Sequence, residues 1–473
     1  VINIIDVPII GDSKNVPQDD PELTLNWYAE EVSKDVLTLK PTPGTVLHNQ
    51  FSISGGGRGM VVVAGRLFGV RGGYFQEIVG GSPVVRGALS SNSGKVGICY
   101  NLPPNGEFQI MVVDETHGYV YESATDTWNV DPDSFPGGGS SVAFCAGRAF
   151  VFEPGTTRIR CSGLYEFTTW DTSAFVTAES LNTPILALVS NGELLYAFSS
   201  DGFQVFNNQG YEIQPMRPML SGDKIGILAP FSALVSERFV YWLGGNVEGR
   251  GVIYRHDGGG GAPVRVSTHS IERNIAALST PSDALGWTYQ SLGHIFYALT
   301  FQAGNKTICL DTVTALWHFR AWREPVNGTL NAVPFIATAI LDGEILGMDF
   351  NNGKVLRLDD TVFTDQGNPI LRDRILTCLP QESDNLTFYQ SAELFATIGN
   401  TPVGQPNPQI MMRYSKDRGM TWSFERWQTA GGNYTYDSRT KWTALGSAYT
   451  LALWFRVVTN QFVSWRSVRL RAE

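Results

Sequence analysis

Ala64-Gly65-Arg66-Leu67-Phe68-Gly69-Val70 is a turn running into a short apolar strand, and the same shape returns along the chain. It recurs at Asn105-Gly106-Glu107-Phe108-Gln109-Ile110-Met111, at Ala146-Gly147-Arg148-Ala149-Phe150-Val151-Phe152 and at Asn191-Gly192-Glu193-Leu194-Leu195-Tyr196-Ala197. More distant copies stand at Ser236-Glu237-Arg238-Phe239-Val240-Tyr241-Trp242, Leu292-Gly293-His294-Ile295-Phe296-Tyr297 and Asp342-Gly343-Glu344-Ile345-Leu346-Gly347. The turn positions 65, 106, 147, 192, 237, 293 and 343 lie 41, 41, 45, 45, 56 and 50 apart. An apolar strand precedes each turn, as in Gly59-Met60-Val61-Val62-Val63, and others follow it, as in Gly118-Tyr119-Val120-Tyr121. Trp128, Trp170 and Trp317 close three of the units. Repeats of this length, each with three or four short strands, predict the blades of a β-propeller. One small sheet cannot bury both of its faces, so blades stack into a ring. Six or seven blades are expected, depending on whether one blade takes strands from both ends of the chain.

Either side of the repeats the texture changes. Residues 1–50 read as an extended N-terminal arm, because Pro8, Pro17, Pro21, Pro41 and Pro43 break any helix. Asn26-Trp27-Tyr28-Ala29-Glu30 is its aromatic anchor, and an arm without a core of its own must lie on another surface or stay mobile. Residues 51–377 are assigned to the propeller and 378–473 to a small C-terminal β-sandwich. The stretch Gly399-Asn400-Thr401-Pro402-Val403-Gly404-Gln405-Pro406-Asn407-Pro408 is expected to be a hinge or long hairpin. Alternating strands follow at 409–415, 421–425, 451–458 and 467–471, the last with one apolar and one basic face. No stretch shows a convincing 3.6-residue apolar period, so the fold class is all-β.

Composition agrees. The chain has 473 residues, 50 of them Gly, with 12% aromatic and only 17% charged residues, as in turn-rich β-proteins. Its net charge of -10 argues against nucleic-acid binding by phosphate neutralisation. The charge is uneven: -5 over residues 1–50, -11 over 51–400 and +6 over 401–473. Such a distribution suits a basic end docking on an acidic neighbour, against the plain alternative of solvated surfaces. Cys99, Cys145, Cys161, Cys309 and Cys378 show no metal-ligand or disulfide spacing and are expected to be buried free thiols. No secretion signal and no membrane span is expected.

One motif is sharp. Ser415-Lys416-Asp417-Arg418-Gly419-Met420-Thr421-Trp422 fits the Asp-box pattern S-x-D-x-G-x-T-W. Ser415 and Asp417 can accept hydrogen bonds from turn amides, Gly419 supplies positive φ, Thr421 continues the turn and Trp422 packs beneath it. Sialidase propellers carry several such boxes; here there is one, outside the repeats, which favours a structural turn over catalysis. His48, His117, His256, His269, His294 and His318 fall in no paired-ligand spacing, and there is no GxSxG nucleophile elbow. The runs Gly137–Gly139 and Gly258–Gly261 lack a phosphate-loop context and read as connections. The acid pairs Asp19-Asp20 and Asp359-Asp360 read as solvated turns rather than calcium loops. Catalytic, metal and cofactor sites are therefore each expected to be absent. Of Trp427, Trp442, Trp454 and Trp465, most are expected in the core and a minority at an oligomer interface.

The order of features resembles the tail hub, or nozzle, proteins of short-tailed phages, the packaged-DNA stabilisation proteins. Three stretches carry the resemblance: Asn26–Glu30 with Leu39-Lys40-Pro41-Thr42-Pro43-Gly44-Thr45; Cys161–Asp171 around Trp170; and Arg413–Trp422 with Lys441–Gly446 and Val468–Arg471. The resemblance implies a virion protein of the tail, made in the host cytoplasm. It implies a homo-oligomeric ring, typically a hexamer, below the portal and adaptor, with a needle or plug and fibres or spikes as further partners. Double-stranded DNA would be held in and then pass through without sequence-specific binding. An acidic lumen would keep it from sticking. Two rivals stay open on the residues. A carbohydrate-active, sialidase-like propeller would need arginines such as Arg66, Arg148 and Arg238 to converge with carboxylates. A receptor-binding or spike-adaptor protein would be trimeric.

Overall fold

The computed structural model describes residues 3–9, 22–33, 36–137, 139–211, 213–220, 224–245, 250–378, 386–399, 407–431 and 437–473. Seven blades are present among them, each an antiparallel sheet of four or five strands. Every repeat turn quoted above is the hairpin between the first and second strands of a blade. At Ala64-Gly65, Ala146-Gly147, Leu292-Gly293 and Asp342-Gly343 both turn residues have positive φ, from 48° to 87°. These are two-residue loops closed by the pairs Val63↔Arg66, Cys145↔Arg148, Ser291↔His294 and Leu341↔Glu344. Only such a doubly left-handed turn matches the twist of tightly joined strands, which is why glycine keeps returning at its second position.

The first strands face the axis and touch one another in sequence. They are Gly57–Val63, Gly97–Tyr100, Val142–Cys145, Ile185–Asn191, Leu234–Ser236, Ala284–Ser291 and Phe335–Leu341, and the last touches the first. The seventh blade draws from both ends of the chain: its outer strand is Gly44–Gln50, paired antiparallel with Lys354–Asp359. The ring is thus latched by residues of the N-terminal segment. Two of the three late tryptophans tie blades together. Trp128 of the second blade stacks on Phe75 of the first (centroids 4.9 Å apart) and donates from Nε1 to the Ala88 carbonyl at 3.1 Å. It lies directly over Gly87, where an added Cβ would come within 2.2–2.4 Å of the indole. Trp317 of the sixth blade donates to the Val266 carbonyl beside the fifth, at 3.1 Å.

A 3-10 turn, Pro230–Ser232, precedes the first strand of the fifth blade, and half-buried Phe231 packs against the cluster that holds the first-strand residues Met60, Leu285 and Ile336. Lys95, at the start of the second blade, lies over the Phe231 ring at 5.3 Å. One α-helix, His269–Ala276, is present among the described residues; it sits where the repeat spacing stretches to 56. Thr268 caps it, and Ile271 and Ile275, four apart, bury one face.

The C-terminal sandwich has two sheets. One orders Asn3–Pro8, Val36–Pro41, Thr387–Ile398 and Ser438–Ala448 around Val463–Ala472; the other orders Leu23–Leu25, Asn368–Cys378, Leu451–Thr459, Gln409–Ser415 and Arg426–Thr429. Between them lie Trp27, Leu394, Trp442, Phe455, Trp465 and Leu470, all buried. Asn3–Pro8, Leu23–Leu25, Trp27–Ser33 and Val36–Pro41 therefore lie on the sandwich as β-strands, with Val7, Ile9, Trp27 and Leu39 inside its core. In the closing strand Val468, Leu470 and Ala472 are buried while Arg469 and Arg471 alternate onto the other face. Of the long loop expected at 399–408, residues 400–406 lie outside the described residues, as do Asp19-Asp20 and the side chain of Cys378. Cys99, Cys145, Cys161 and Cys309 are buried free thiols.

Candidate functional site

The most heavily built place in the molecule is the junction where arm, sixth blade and sandwich meet. Leu23–Leu25 pairs antiparallel with Asn368–Cys378 of the sandwich and touches Trp317–Arg320, the outer strand of the sixth blade, through a parallel pair Leu25↔Phe319. The next residue, Asn26, turns the chain at φ 57°, a left-handed position that Asn tolerates better than most residues. Its amide nitrogen Nδ2 donates to the carbonyls of Ala321 (2.9 Å) and Leu371 (2.7 Å), and its Oδ1 accepts from Ala321 N (2.9 Å). Its backbone N–H donates to Phe319 O at 2.8 Å. One side chain thus fastens blade to sandwich. Then the period-two alternation of a strand takes over. Trp27 points into the sandwich and meets Trp465 at 4.5 Å, whereas Tyr28 points into the propeller against His294 and Phe296 at 5.1 and 5.5 Å. Adjacent residues therefore anchor two different cores.

Beside this weld is a cavity of about 650 Å³ lined by Asn26, Thr45, Arg320, Trp322, Asp349 and Asp365, among others. Arg320 is buried, stacks over Tyr289 at 5.0 Å and donates to the Pro43 carbonyl at 3.0 Å. Arg372, fully buried, lies over Trp27 at 5.7 Å, and burial pushes its guanidinium down to about 9 despite the opposing charge of Asp365. Sequence reasoning passed over these arginines. His318-Phe319-Arg320 alternates like a strand with a wet polar face, yet His318 and Arg320 are both buried.

The Asp-box hairpin lies at the other side of the sandwich. Ser415 Oγ donates to Asp417 at 2.6 Å and accepts from Gly419 N at 2.8 Å; Asp417 accepts from Thr421 N at 2.9 Å and from its hydroxyl at 2.5 Å. These donors, the Ser415 and Thr421 hydroxyls and the Thr421 amide, hold the Asp417 carboxyl down at about 2. Gly419 has φ 89°, and half-buried Trp422 packs edge-on to Trp454 at 5.4 Å. Ser415, Asp417, Gly419 and Thr421 are engaged with the turn itself and Trp422 with the neighbouring strand. Met420, Phe424 and Trp427 are exposed around it, while Trp442 and Trp465 are in the core.

The arginines that an enzyme reading would gather stand on separate blades with separate partners. Arg66 pairs with Glu77 at 2.6 Å, Arg148 donates to the Ser162 carbonyl at 2.7 Å, and Arg238 stacks on Phe239 at 4.8 Å. His294 is bonded to Asp311 at 2.8 Å inside the sixth blade, and burial drives His318 down to about 3, so it is neutral. Asp359 accepts from Thr361 N and Oγ1 at 2.9 and 2.6 Å, and Asp360 from Ser291 at 2.6 Å: both belong to half-buried turns. Among the described residues no three His, Cys, Asp or Glu side chains converge to hold a metal ion.

This architecture, a propeller welded to a sandwich, is matched along its length by family models. One described as bacteriophage P22 Gp10, beta-propeller, matches residues 27–362; a second, bacteriophage P22 Gp10, beta-sandwich, matches residues 374–473. The chain belongs to the P22 Gp10 family. It is accordingly a phage structural protein of the stabilisation family, a component of the virion tail. Asn26 lies just before the Gp10 propeller match and Arg372 between the two matches. No curated protein matches the chain. Solved structures similar to it include a computationally designed protein, Ika8 (12% identity, TM-score 0.40, covering 72% of this chain and 99% of that one). They also include the N-terminal domain of Nup159 (10%, 0.41, 71% and 98%) and a chain of the mitotic checkpoint complex (10%, 0.41, 70% and 95%). No helix among the described residues is long and apolar enough to cross a membrane.

Proposed function

We propose that this chain is one subunit of a ring, a homohexamer, that forms the nozzle of a short phage tail below portal and adaptor, retains packaged DNA and conducts it on ejection. The observation that carries the reading is the pair of Gp10 matches, which together span 27–473 except for residues 363–373. The contact of Lys95 with Phe231, between the second and fifth blades, supports a DNA path that runs between subunits rather than through one propeller. The charge distribution, +6 over 401–473 against -11 over 51–400, supports a ring in which each sandwich docks on an acidic neighbour and acidic walls keep phosphates from sticking. Its partners would be the adaptor and portal above, a needle or plug below and fibres or spikes outside. As working units we take arm, propeller and sandwich, divided near residues 50 and 377, with the arm as the weld between the other two. We assign the Asp-box, Ser415 to Trp422, a structural part, and the protein no catalytic one, since Arg66, Arg148 and Arg238 share no site.

Native mass spectrometry and negative-stain imaging of the purified chain and of virions test this. A sixfold ring at the tail is expected. A trimer, or absence from the virion together with glycan turnover by the purified chain, overturns it.

A further inference from the structure

The Asp-box turn fixes a hairpin whose tip is apolar and bare. Phe424 is 93% exposed and Met420 87%, the first and third most exposed large apolar side chains among the described residues, and Trp427 is exposed beside them. The segment is not a frayed loop. Ser423 N donates to the Tyr414 carbonyl at 2.9 Å, Arg413 Nε to the Ser423 carbonyl at 2.8 Å and Arg426 Nη2 to the Thr443 carbonyl at 2.6 Å. The chain is therefore pinned on both sides of Phe424. Large apolar side chains held out in water on a rigid turn add nothing to a core, and such a patch marks a contact surface. Arg413, Lys416, Arg418 and Arg426 stand in the same segment against Asp417 and Glu425, a balance of +2 over residues 413–429. Asp417 faces inward, accepting from Ser415 and Thr421 of its own turn.

A counterpart exists on the propeller. Between Lys95 and Arg148 the chain has no Lys or Arg, and seven acids give residues 96–147, the second blade and the link to the third, a balance of -7. The same place has an apolar rim. Tyr100 and Leu102 of the second blade are exposed, as are Leu164 and Tyr165 of the third. Asn101 Nδ2 donates to the Tyr165 carbonyl at 3.0 Å, which brings the two pairs together. Glu107 is exposed on the connection that carries Leu102, and Arg148 is bonded to the Ser162 carbonyl at 2.7 Å.

Both patches are exposed within one chain, so neither covers the other. One is basic and lies on the sandwich; the other is acidic and lies on the second and third blades. Two different surfaces that fit each other make a head-to-tail contact, and head-to-tail contacts repeated about an axis close into a ring. A tip already held by its turn loses little freedom on docking.

We propose that the Asp-box hairpin is the subunit contact: Met420, Phe424 and Trp427 seat on the rim around Leu102 and Leu164 of a second copy of this chain, whose acidic second blade faces the hairpin's cations. This rests on the ring reading and names its interface.

Native mass spectrometry and negative-stain imaging of the full chain, alone and in tails, test it with two variants. Phe424→Asp and Leu164→Asp replace exposed side chains, so Tm should stay at the wild-type value. Each should raise the concentration needed for the ring about tenfold or more. Mixed, the two should form a one-to-one heterodimer and stop there, because only the intact hairpin of one meets the intact rim of the other. A ring that assembles unchanged in Phe424→Asp overturns this inference and leaves the ring reading standing; if that ring then fails to join tails, the hairpin takes another tail protein instead. A mixture without heterodimer overturns the choice of rim. A wild type that forms no ring, alone or in tails, overturns the ring reading and this inference together.

Discussion

Asn26→Ala is the sharpest test of the weld. Asn26 is 2% exposed, and its side chain makes three hydrogen bonds of 2.7–2.9 Å to Ala321 and Leu371. Truncation orphans the Leu371 carbonyl in the buried junction and frees both backbone groups of Ala321. An orphaned buried group costs about 1–3 kcal/mol, so two or three of them cost about 3–5 kcal/mol. Alanine must also hold φ 57° without the local bonds that help Asn, adding about 1 kcal/mol. The total, about 4–6 kcal/mol, is comparable with the whole stability of many domains. Asn26→Gly loses the same bonds but not the φ term, so it should be the milder of the two by about 1 kcal/mol. Differential scanning calorimetry of the full chain is the assay, with limited proteolysis to locate the loosened segment. The expected result is a lower first transition, cleavage within residues 22–41, and a propeller that still melts cooperatively. An Asn26→Ala protein within about 1 kcal/mol of wild type, or a glycine variant worse than the alanine one, refutes the reasoning.

Four further outcomes follow. His318 has its folded value depressed by burial to about 3 from 6.5, so its contribution is fully present above about pH 6.5 and is lost as pH falls toward 3. At about 1.4 kcal/mol per pH unit, unfolding measured across that window should steepen by one proton, and His318→Phe should flatten the slope. Gly87→Ala puts a Cβ within 2.2–2.4 Å of the Trp128 ring, so it should displace the indole and lower Tm, with quenched or shifted tryptophan emission as the local readout. Asp417→Ala removes the acceptor of the Thr421 amide and hydroxyl and should raise hydrogen exchange at Thr421, while leaving blade amides protected. Phe231→Ala removes a half-buried ring from the cluster of Met60, Leu285 and Ile336. It should destabilise the fold by less than the ~3–5 kcal/mol of a fully buried Phe, read as a lower Tm, without altering the ring that the subunits form.

How much of this was legible in the sequence depends on range. The seven turns at 65, 106, 147, 192, 237, 293 and 343 each fall in a hairpin at the start of a blade. At 65, 147, 293 and 343 a two-residue turn is dictated by its own residues, whereas Gly106 lies in a longer connection over residues 101–108. Alternation also showed the sandwich strands at 409–415, 451–458 and 467–471. Residues 421–425, expected as a strand, instead run irregularly out of the Asp-box turn that holds Thr421, and the strand lies at Arg426–Thr429. Thr387–Ile398 and Ser438–Ala448 were not anticipated. Nor was the helix His269–Ala276. Eight residues with two apolar positions carry too little period to stand out, and its Thr268 cap is a single residue. The burial of Arg320 was invisible for a different reason. Arg320 lies on a strand whose alternation says "wet face", and only the arm crossing at Pro43 buries it. Nothing local to residues 317–320 encodes that cover.

The arm shows the same limit turned to advantage. Its prolines argued for extension and its lack of a core for a place on another surface, and neither states that one peptide serves two cores. Yet Asn26-Trp27-Tyr28 encodes it once the strand period is applied. Neighbours in a strand face opposite ways, so two adjacent aromatics that are both fully buried need two hydrophobic interiors. Trp27 at 0% and Tyr28 at 1% exposure meet that condition. The consequence is mechanical. A sandwich held by a linker alone could swing, whereas this one shares strands, a buried amide and two aromatic anchors with the sixth blade, and the same segment then latches the seventh through Gly44–Gln50. Force applied to the sandwich is therefore carried into two blades at once, and loss of the arm would open the ring and free the sandwich together.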